Sequence, residues 1–417
     1  MSSLKTLSSA AGFLTIATFC VPAFAQDTEQ KESKSEIEDA ISKIKPIFQA
    51  RLRYESVEQD NALSNADALT YRFRAGLQTG EAYGTSFLIE FDHVEDIVDD
   101  FNPDPFTPNA NTGVFSVVAD PRITELNRLQ LVNKSLPDTT VTLGRQRIIL
   151  DDSRFIGNVG WRQNEQTFDA LRVQNKSLGE LSLDVSYVNR VNRIFGDDSN
   201  VGEWDGDTYL INASHPTPMG NLTGFAYFID FNNAGGIFSN QTIGARLAGK
   251  QTFGEGSFGY SLSYAIQEDY GSSNLDYSAD YANAEGTYKT GGLLLGAGYE
   301  LLGGDMQRGF QAPLSTLHKF NGWADIFLNT PTMGIEDLYL KAGYAPGNLG
   351  MLKGTNFIAV YHEFSSDTGG LNYGSELNLV TTTKVGKVKT LIKFADYSAD
   401  DFDVDTQKIW VQFDYAF

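Results

Sequence analysis

The stretch Phe48-Gln49-Ala50-Arg51-Leu52-Arg53-Tyr54-Glu55, answered by Leu69-Thr70-Tyr71-Arg72-Phe73-Arg74-Ala75, alternates apolar and polar side chains at every step. A period of two belongs to the β-strand, whose successive side chains leave opposite faces. Phe48, Ala50, Leu52 and Tyr54 therefore share one face, and Gln49, Arg51, Arg53 and Glu55 share the other. In a soluble sandwich one face would be packed and the other would meet water. Here the apolar face is rich in aromatics and the polar face bears arginine after arginine. That combination suits lipid outside and a wet lumen inside.

The pattern continues outward from there. Leu181, Leu183, Val185 and Tyr187 alternate with Ser182, Asp184 and Ser186, and Phe258, Tyr260, Leu262, Tyr264 and Ile266 alternate with Gly259, Ser261, Ser263 and Gln267. Phe225, Tyr227, Ile229 and Phe231 read the same way, as an outward apolar face with Gly224, Ala226 and Asp230 turned inward. Small inward residues imply an open lumen. Eighteen such segments can be counted, from 47–56 to 406–417, an even number as closed bacterial barrels require. Most have about the 9–11 residues a tilted strand needs to cross a bilayer.

The connections test the count. Every second one is short: Gly80–Gly84, Lys134–Asp138, Lys176–Gly179, Pro216–Asn221, Thr252–Gly256, Thr290–Gly291 and Lys384–Lys387, with Pro346–Gly354 the longest of the set. The intervening ones include Asp96–Ile123, Leu150–Glu165, Arg193–Gly206 and Gly303–Gly334. The expected fold is all-β, a transmembrane antiparallel up-and-down barrel with short periplasmic turns and long extracellular loops. Both termini then lie in the periplasm. Loop Gly303–Gly334 is long enough to fold in as a plug, with Leu317, Phe320 and Trp323 against the wall, or to cap the surface.

The ends of the chain agree. Lys5, an apolar run over 7–21 and the small-x-small pattern Ala23-Phe24-Ala25 read as a signal peptide over 1–25, cut near Ala25. Lipoprotein cleavage at Cys20 is the rival reading, and Ala17-Thr18-Phe19 lacks the small residue expected before a lipidated cysteine. With cleavage near Ala25 the single cysteine leaves with the leader, so disulfides, cysteine catalysis and thiolate metal sites are excluded from the mature chain. Residues 26–46, with Ile37, Ala40, Ile41 and Ile44 at helical spacing, read as a periplasmic leader, and 47–417 as the barrel. After the leader, no stretch of 18 apolar residues occurs, which excludes a helical membrane protein. The 28 Phe and 19 Tyr beside 40 Gly and 12 Pro are what aromatic, turn-punctuated strands require. The last segment, Ile409 to Phe417, alternates and ends on Phe, like the strand that outer-membrane assembly machinery recognises. The expected site is the outer membrane of a Gram-negative bacterium, with lipid and lipopolysaccharide around the barrel.

Two stretches carry a family resemblance: Gly144-Arg145-Gln146-Arg147 through Leu150-Asp151-Asp152-Ser153-Arg154-Phe155-Ile156-Gly157 to Trp161-Arg162-Gln163-Asn164-Glu165-Gln166-Thr167-Phe168-Asp169, and Pro313-Leu314-Ser315-Thr316-Leu317-His318-Lys319-Phe320-Asn321-Gly322-Trp323-Ala324-Asp325 with Gly334-Ile335-Glu336-Asp337-Leu338-Tyr339. Both resemble the alginate-export family of outer-membrane porins. The resemblance implies an eighteen-stranded channel and, as cargo, an anionic polysaccharide such as alginate or its oligomers.

The net charge of −21 is unevenly placed. Acidic residues crowd the outer loops, whereas Arg51, Arg53, Arg72, Arg74, Arg128, Arg172, Arg190 and Arg246 lie on polar strand faces. Arginines lining a pore select anions, because guanidinium keeps its charge and offers planar donors. The competing reading is that Glu55, Glu90, Asp92, Asp184 and Asp230 pair with them and merely brace the wall. Arg145 and Arg147 share parity with lipid-facing Val141 and Leu143. Either Gly144 marks a bulge that re-aims them into the pore, or they sit at the rim.

The acidic loops show no calcium-loop spacing, and no cofactor, metal or nucleic-acid partner is read from the chain. His93, His215, His318 and His362 are the only histidines, and His318 near Ser315 and Asp325 is the one constellation that could serve catalysis. The reading that follows is a channel passing anionic solutes and not an enzyme. A non-selective diffusion pore, and a surface receptor or adhesin without an open lumen, are the alternatives.

Overall fold

The computed structural model describes residues 35–416; the signal-peptide and lipidation readings, most of the leader and Phe417 lie outside them. Helix α1 (Glu36–Ser42) precedes eighteen strands among the described residues. The first nine are β1 (Lys45–Gln59), β2 (Ala66–Gln78), β3 (Thr85–Asp100), β4 (Ile123–Asn133), β5 (Thr139–Gln146), β6 (Thr167–Leu178), β7 (Leu181–Asn192), β8 (Glu203–Thr217) and β9 (Gly220–Phe231). The others are β10 (Asn240–Phe253), β11 (Gly256–Asp269), β12 (Ser278–Thr290), β13 (Leu293–Leu302), β14 (Ile335–Leu349), β15 (Leu352–Ser365), β16 (Asn372–Val385), β17 (Val388–Ala399) and β18 (Thr406–Ala416). Each pairs antiparallel with its sequence neighbours, and β1 pairs with β18, so the sheet closes. Closure leaves no strand edge, which is the condition for a sheet to sit in hydrocarbon.

The outer face is apolar along its length. Leu52, Phe73, Phe91, Leu143, Leu171, Leu262, Leu340, Ile392 and Phe413 are all exposed, Leu340 at 61%. A continuous apolar surface of this extent has to be covered, and a bilayer covers it. Short turns gather at one end and long connections at the other. The turn expected over Pro346–Gly354 is tighter than its sequence implies, because β14 runs on to Leu349 and β15 starts at Leu352. Register shifts beside Gly347 and Lys353 take up the extra residues as bulges. At the short-turn end, α1 caps the β2–β3 connection through Gly80 N–H to Ala40 O (2.9 Å) and Tyr83 N–H to Glu36 Oε2 (2.6 Å).

The lumen is not left open. Connections 147–166 and 303–334 turn inward and bring an apolar core with them. Ile148, Leu150, Ile156, Phe310, Leu314 and Phe327 are buried against Tyr281, Phe364, Tyr373, Tyr397 and Trp410 of the wall. Phe225, Tyr227, Ile229 and Phe231 belong to this core and point inward, contrary to their expected lipid-facing side. Alternation alone does not say which face is lipid, and an infolded loop gives an inward aromatic row its partner: Phe155 lies 5.2 Å from Phe225. Asp230, read as inward, consequently takes the opposite side and accepts Ser272 N–H at 2.8 Å. The two loops meet at Gly157, where a Cβ would stand 2.2 Å from Thr316 Oγ1, so only glycine permits the contact. Gly157 N–H donates there to Leu314 O at 2.8 Å.

Candidate functional site

The arginines of β1 and β2 grip the first infolded loop. Arg51 and Arg72 are directly opposite in the ladder. Arg51 Nε donates to Asp414 (2.8 Å), and its Nη1 reaches the carbonyls of Trp161 (3.1 Å) and Arg162 (3.2 Å). Arg53 donates to Gln412 (2.9 Å) and to Trp161 O, and Arg72 donates to Gln163 O (3.1 Å). One turn of backbone, 161–163, thus presents its carbonyls to three guanidinium groups. Arg74 closes the set on Asp92 (2.5 Å) and Glu165 (3.0 Å).

Most of the remaining expected pore residues are paired too. Arg128 bonds Glu90 (2.7 Å), Arg172 bonds Asp184 (2.5 Å), and Arg246 reaches Asp152 (3.3 Å) of the infolded loop. Burial opposes charge on Glu165, but Arg74 and Arg147 outweigh it and bring its pKa down to about 2. Carboxylates Glu90, Asp92 and Asp184 do what the bracing alternative required of them. Glu55 serves the loop, accepting from Arg162 at 3.0 Å.

Arg145, Arg147 and Arg190 go separate ways. Arg147, beyond the end of β5, turns inward to Glu165 and Glu90. Arg145 keeps the side of Leu143 and pairs with Asp169, directly opposite at 2.8 Å. In the ladder Leu171 opposes Tyr187 and Asp169 opposes Arg190, so this pair stands beyond the tyrosine, toward the rim. A register shift between Val188 and Arg190 moves Arg190 to the same outward side, where it pairs with Asp205 (2.8 Å) and Glu203 (2.7 Å). Arg145 and Arg190 are therefore rim residues rather than pore-lining ones. One bulged residue reverses the parity of everything after it.

The second loop is clamped by aromatic and ionic contacts that the sequence did not disclose. Lys393 of β17 lies 3.8 Å over Trp323 and 4.3 Å over Trp161, with Arg53 4.2 Å over Trp161 as well and β18's Trp410 edge-on to it. His318 stacks on Trp161 at 4.3 Å, contacts Asp325 through Nδ1 (2.7 Å), and has Nε2 2.6 Å from Lys393 Nζ. The Nδ1–H tautomer satisfies both contacts, donating to Asp325 and leaving Nε2 to accept from Lys393. Burial holds its pKa down to about 3 despite the nearby carboxylate. Ser315 meanwhile donates to Ser153 O at 3.2 Å. Ser315 thus bonds the first loop instead of the imidazole, and His318 with Asp325 clamps the second loop to the wall. Arg154, buried against Glu300 (2.8 Å) and over Phe320 (4.7 Å), anchors the first loop on the far wall.

Three cations are held otherwise. Lys353, Lys384 and Lys389 stand directly opposite one another on β15, β16 and β17, beside Asp414. All three line one cavity of about 430 Å³ at the short-turn end with Gln412 and Asp414. Among the described residues none of the three has an ion pair, and Asp414 is already held by Arg51. Like charges directly opposite across a ladder repel, and an anion between them relieves the repulsion.

A closed eighteen-stranded barrel with an apolar belt and infolded loops is the fold of the outer-membrane porins. Among solved structures, Pseudomonas aeruginosa OpdK with vanillate is similar to the chain at a TM-score of 0.71 and 13% identity, over 90% of this chain and 99% of that one. Pseudomonas aeruginosa OccK9 (OpdG) gives 0.69 and 16%, over 91% and 100%. Acinetobacter baumannii OccAB3 gives 0.66 and 15%, over 90% and 100%. At these identities the likeness is one of fold. No family model and no curated protein matches the chain, and the solved structures support the alginate-export resemblance only in the eighteen-stranded barrel fold.

Proposed function

We propose that the chain is an outer-membrane channel for passive passage of anionic solutes through a lumen narrowed by two docked loops. The observation that carries this reading is the row Lys353, Lys384 and Lys389, without an ion pair among the described residues and gathered on one cavity. Fixed positive charge on a low-dielectric wall concentrates anions at the mouth. Small organic anions are the cargo that the narrowed lumen suits, and alginate oligomers are the polymeric version of the same charge. Lipid and lipopolysaccharide surround the apolar belt, and the terminal strand serves assembly. Reversal potential in planar bilayers under a salt gradient tests the reading, for wild type and a variant with all three lysines changed to Gln. Wild type should favour chloride over potassium, and the variant should move toward potassium. A cation-selective wild type would refute anion preference. The buried state of the docked loops favours a second reading, a receptor without an open lumen, and absence of any conductance would select it.

A further inference from the structure

Helix α1 meets the barrel along one side only. A Cβ at Gly80 would stand 3.0 Å from Lys43 Cβ and 3.1 Å from Ala40 Cα, so the helix lies directly on the β2–β3 turn. Ala40 is the residue that this contact buries. Ile37, Ile41 and Ile44 recur at i, i+4 and i+7 and form one stripe beside it. The barrel leaves that stripe uncovered, with Ile37 55% and Ile41 57% exposed.

What borders the stripe decides what covers it. Ile44 stands immediately before β1, whose outward residues at this end are Pro46 and Phe48. Phe48 is exposed and stacks on Phe73 of the lipid belt at 6.2 Å. The stripe therefore continues the belt past the end of the strand. Tyr83, in the turn that carries the helix, is exposed as well, as are Met219, Phe253 and Met351 at or beside other short turns. Turns that meet water ordinarily use Gly, Asn, Asp or Ser. Apolar side chains around this end bring the membrane interface down to the level of the turns and of α1. Three side chains offer far less than the roughly 800 Å² per partner of a specific protein interface, whereas lipid needs no matching shape. Seven residues would not hold as a free helix. Here Gly80 N–H and Tyr83 N–H tie the helix to the turn, so its insertion is intramolecular. Charge gives no help: Glu36, Glu38 and Asp39 fill the first turn, and Lys43 is taken by Asp39 at 2.5 Å.

We propose that α1 is an interfacial anchor, lying in the phospholipid leaflet at the short-turn end with Ile37, Ile41 and Ile44 at the acyl boundary. The proposal rests on the lipid belt and is independent of what the lumen passes. Fluorescence of the refolded chain in phosphatidylcholine vesicles tests it. In a Cys20→Ser background, the dye NBD is attached at Ile37→Cys, Ile41→Cys or Ser42→Cys, with Phe48→Cys as the belt reference and heat-modifiable mobility as the check of folding. Labels at Ile37 and Ile41 should emit to the blue of the label at Ser42, which sits on the polar side of the helix. Phospholipid brominated high in its acyl chains should quench them severalfold more strongly. Adding phosphatidylglycerol should leave this contrast unchanged. Labels at Ile37 and Ile41 that emit like the one at Ser42 would place the stripe in water and overturn the proposal. Blue-shifted labels that brominated lipid leaves bright would mean that a second copy of the chain covers the stripe, which overturns it equally. A contrast seen only with phosphatidylglycerol would assign the contact to lysines instead of isoleucines, and the anchor would fail as argued.

Discussion

Asp325→Asn is the sharpest perturbation of the docked loops. The Asp325 side chain is 5% exposed and takes three donors from three parts of the chain: His318 Nδ1 at 2.7 Å, Lys408 Nζ at 3.2 Å and Arg162 Nη2 at 3.3 Å. It therefore ties the second loop to β18 and to the first loop at once. Burial opposes its charge, but His318 and Lys408 prevail and hold its carboxyl well below the usual carboxylate range. Removing one partner from a buried ionic cluster costs about 3–5 kcal/mol. Asparagine keeps one acceptor oxygen, which points to about 3 kcal/mol, or roughly a hundredfold more time undocked. The barrel itself should stand, since its ladders do not involve Asp325. Single-channel recordings should show upward excursions of conductance, and external trypsin should cut after Lys319. An assembled, heat-modifiable variant with wild-type recordings and wild-type trypsin resistance would refute the clamp.

Acid should loosen the same clamp. His318 has a pKa of about 3 when docked, because burial disfavours its charge, against about 6.5 when free. Between those values the undocked loop binds more protons, so docking is full above about pH 6.5 and weakens as pH falls toward 3. Asp325, Lys393 and Arg162 face the ring, and open-channel noise should rise on acidification in wild type but stay flat in His318→Gln. Leu340→Arg places a charge on an exposed outward site of β14. It should cost about 2–4 kcal/mol near the bilayer midplane and lower outer-membrane yield, and undiminished yield would count against that face being lipid. Cysteine at Asn109, in the 101–122 connection, should label with an impermeant reagent on intact cells; silence there in an assembled barrel would reverse the topology.

Much of the wall was legible because closure imposes period two over long runs. The even number of strands and the alternation of short and long connections both follow from it. What the sequence hid has two physical sources. A bulge shifts parity without any residue type announcing it, which is how Arg190 left the lumen. Infolding is a long-range choice: whether Phe225 and Tyr227 face lipid or a loop depends on Phe155, some seventy positions earlier, being delivered inside. Gly157 and the run from Trp161 to Glu165 carried a trace of that delivery. Polar residues at such density in a connection are costly to bury unless partners wait for them. The inward arginines were those partners, but no local pattern connects 51–74 with 161–163.

That pairing changes what the arginines should do when removed. Arg51, Arg53, Arg72 and Arg74 were expected to set ion selectivity directly, yet three of them spend donors on loop carbonyls and Arg74 is enclosed by Asp92, Glu90 and Glu165. Changing all four to Gln removes charge-assisted bonds worth about 1.5–3 kcal/mol each, with only part regained by the amides. It also strands Asp92 without its guanidinium and leaves Glu165 with Arg147 alone. The dominant consequence should be release of the 147–166 loop, read as a larger conductance, with a smaller change in reversal potential than the three-lysine variant gives. Salt separates the two effects. A selectivity filter of exposed lysines loses its grip at 1 M, where the Debye length is about 3 Å, whereas a loop released by lost hydrogen bonds stays released. If the arginine variant instead keeps wild-type conductance and shifts reversal potential more than the lysine variant, the guanidinium groups face mobile ions and the docked loop does not occupy them.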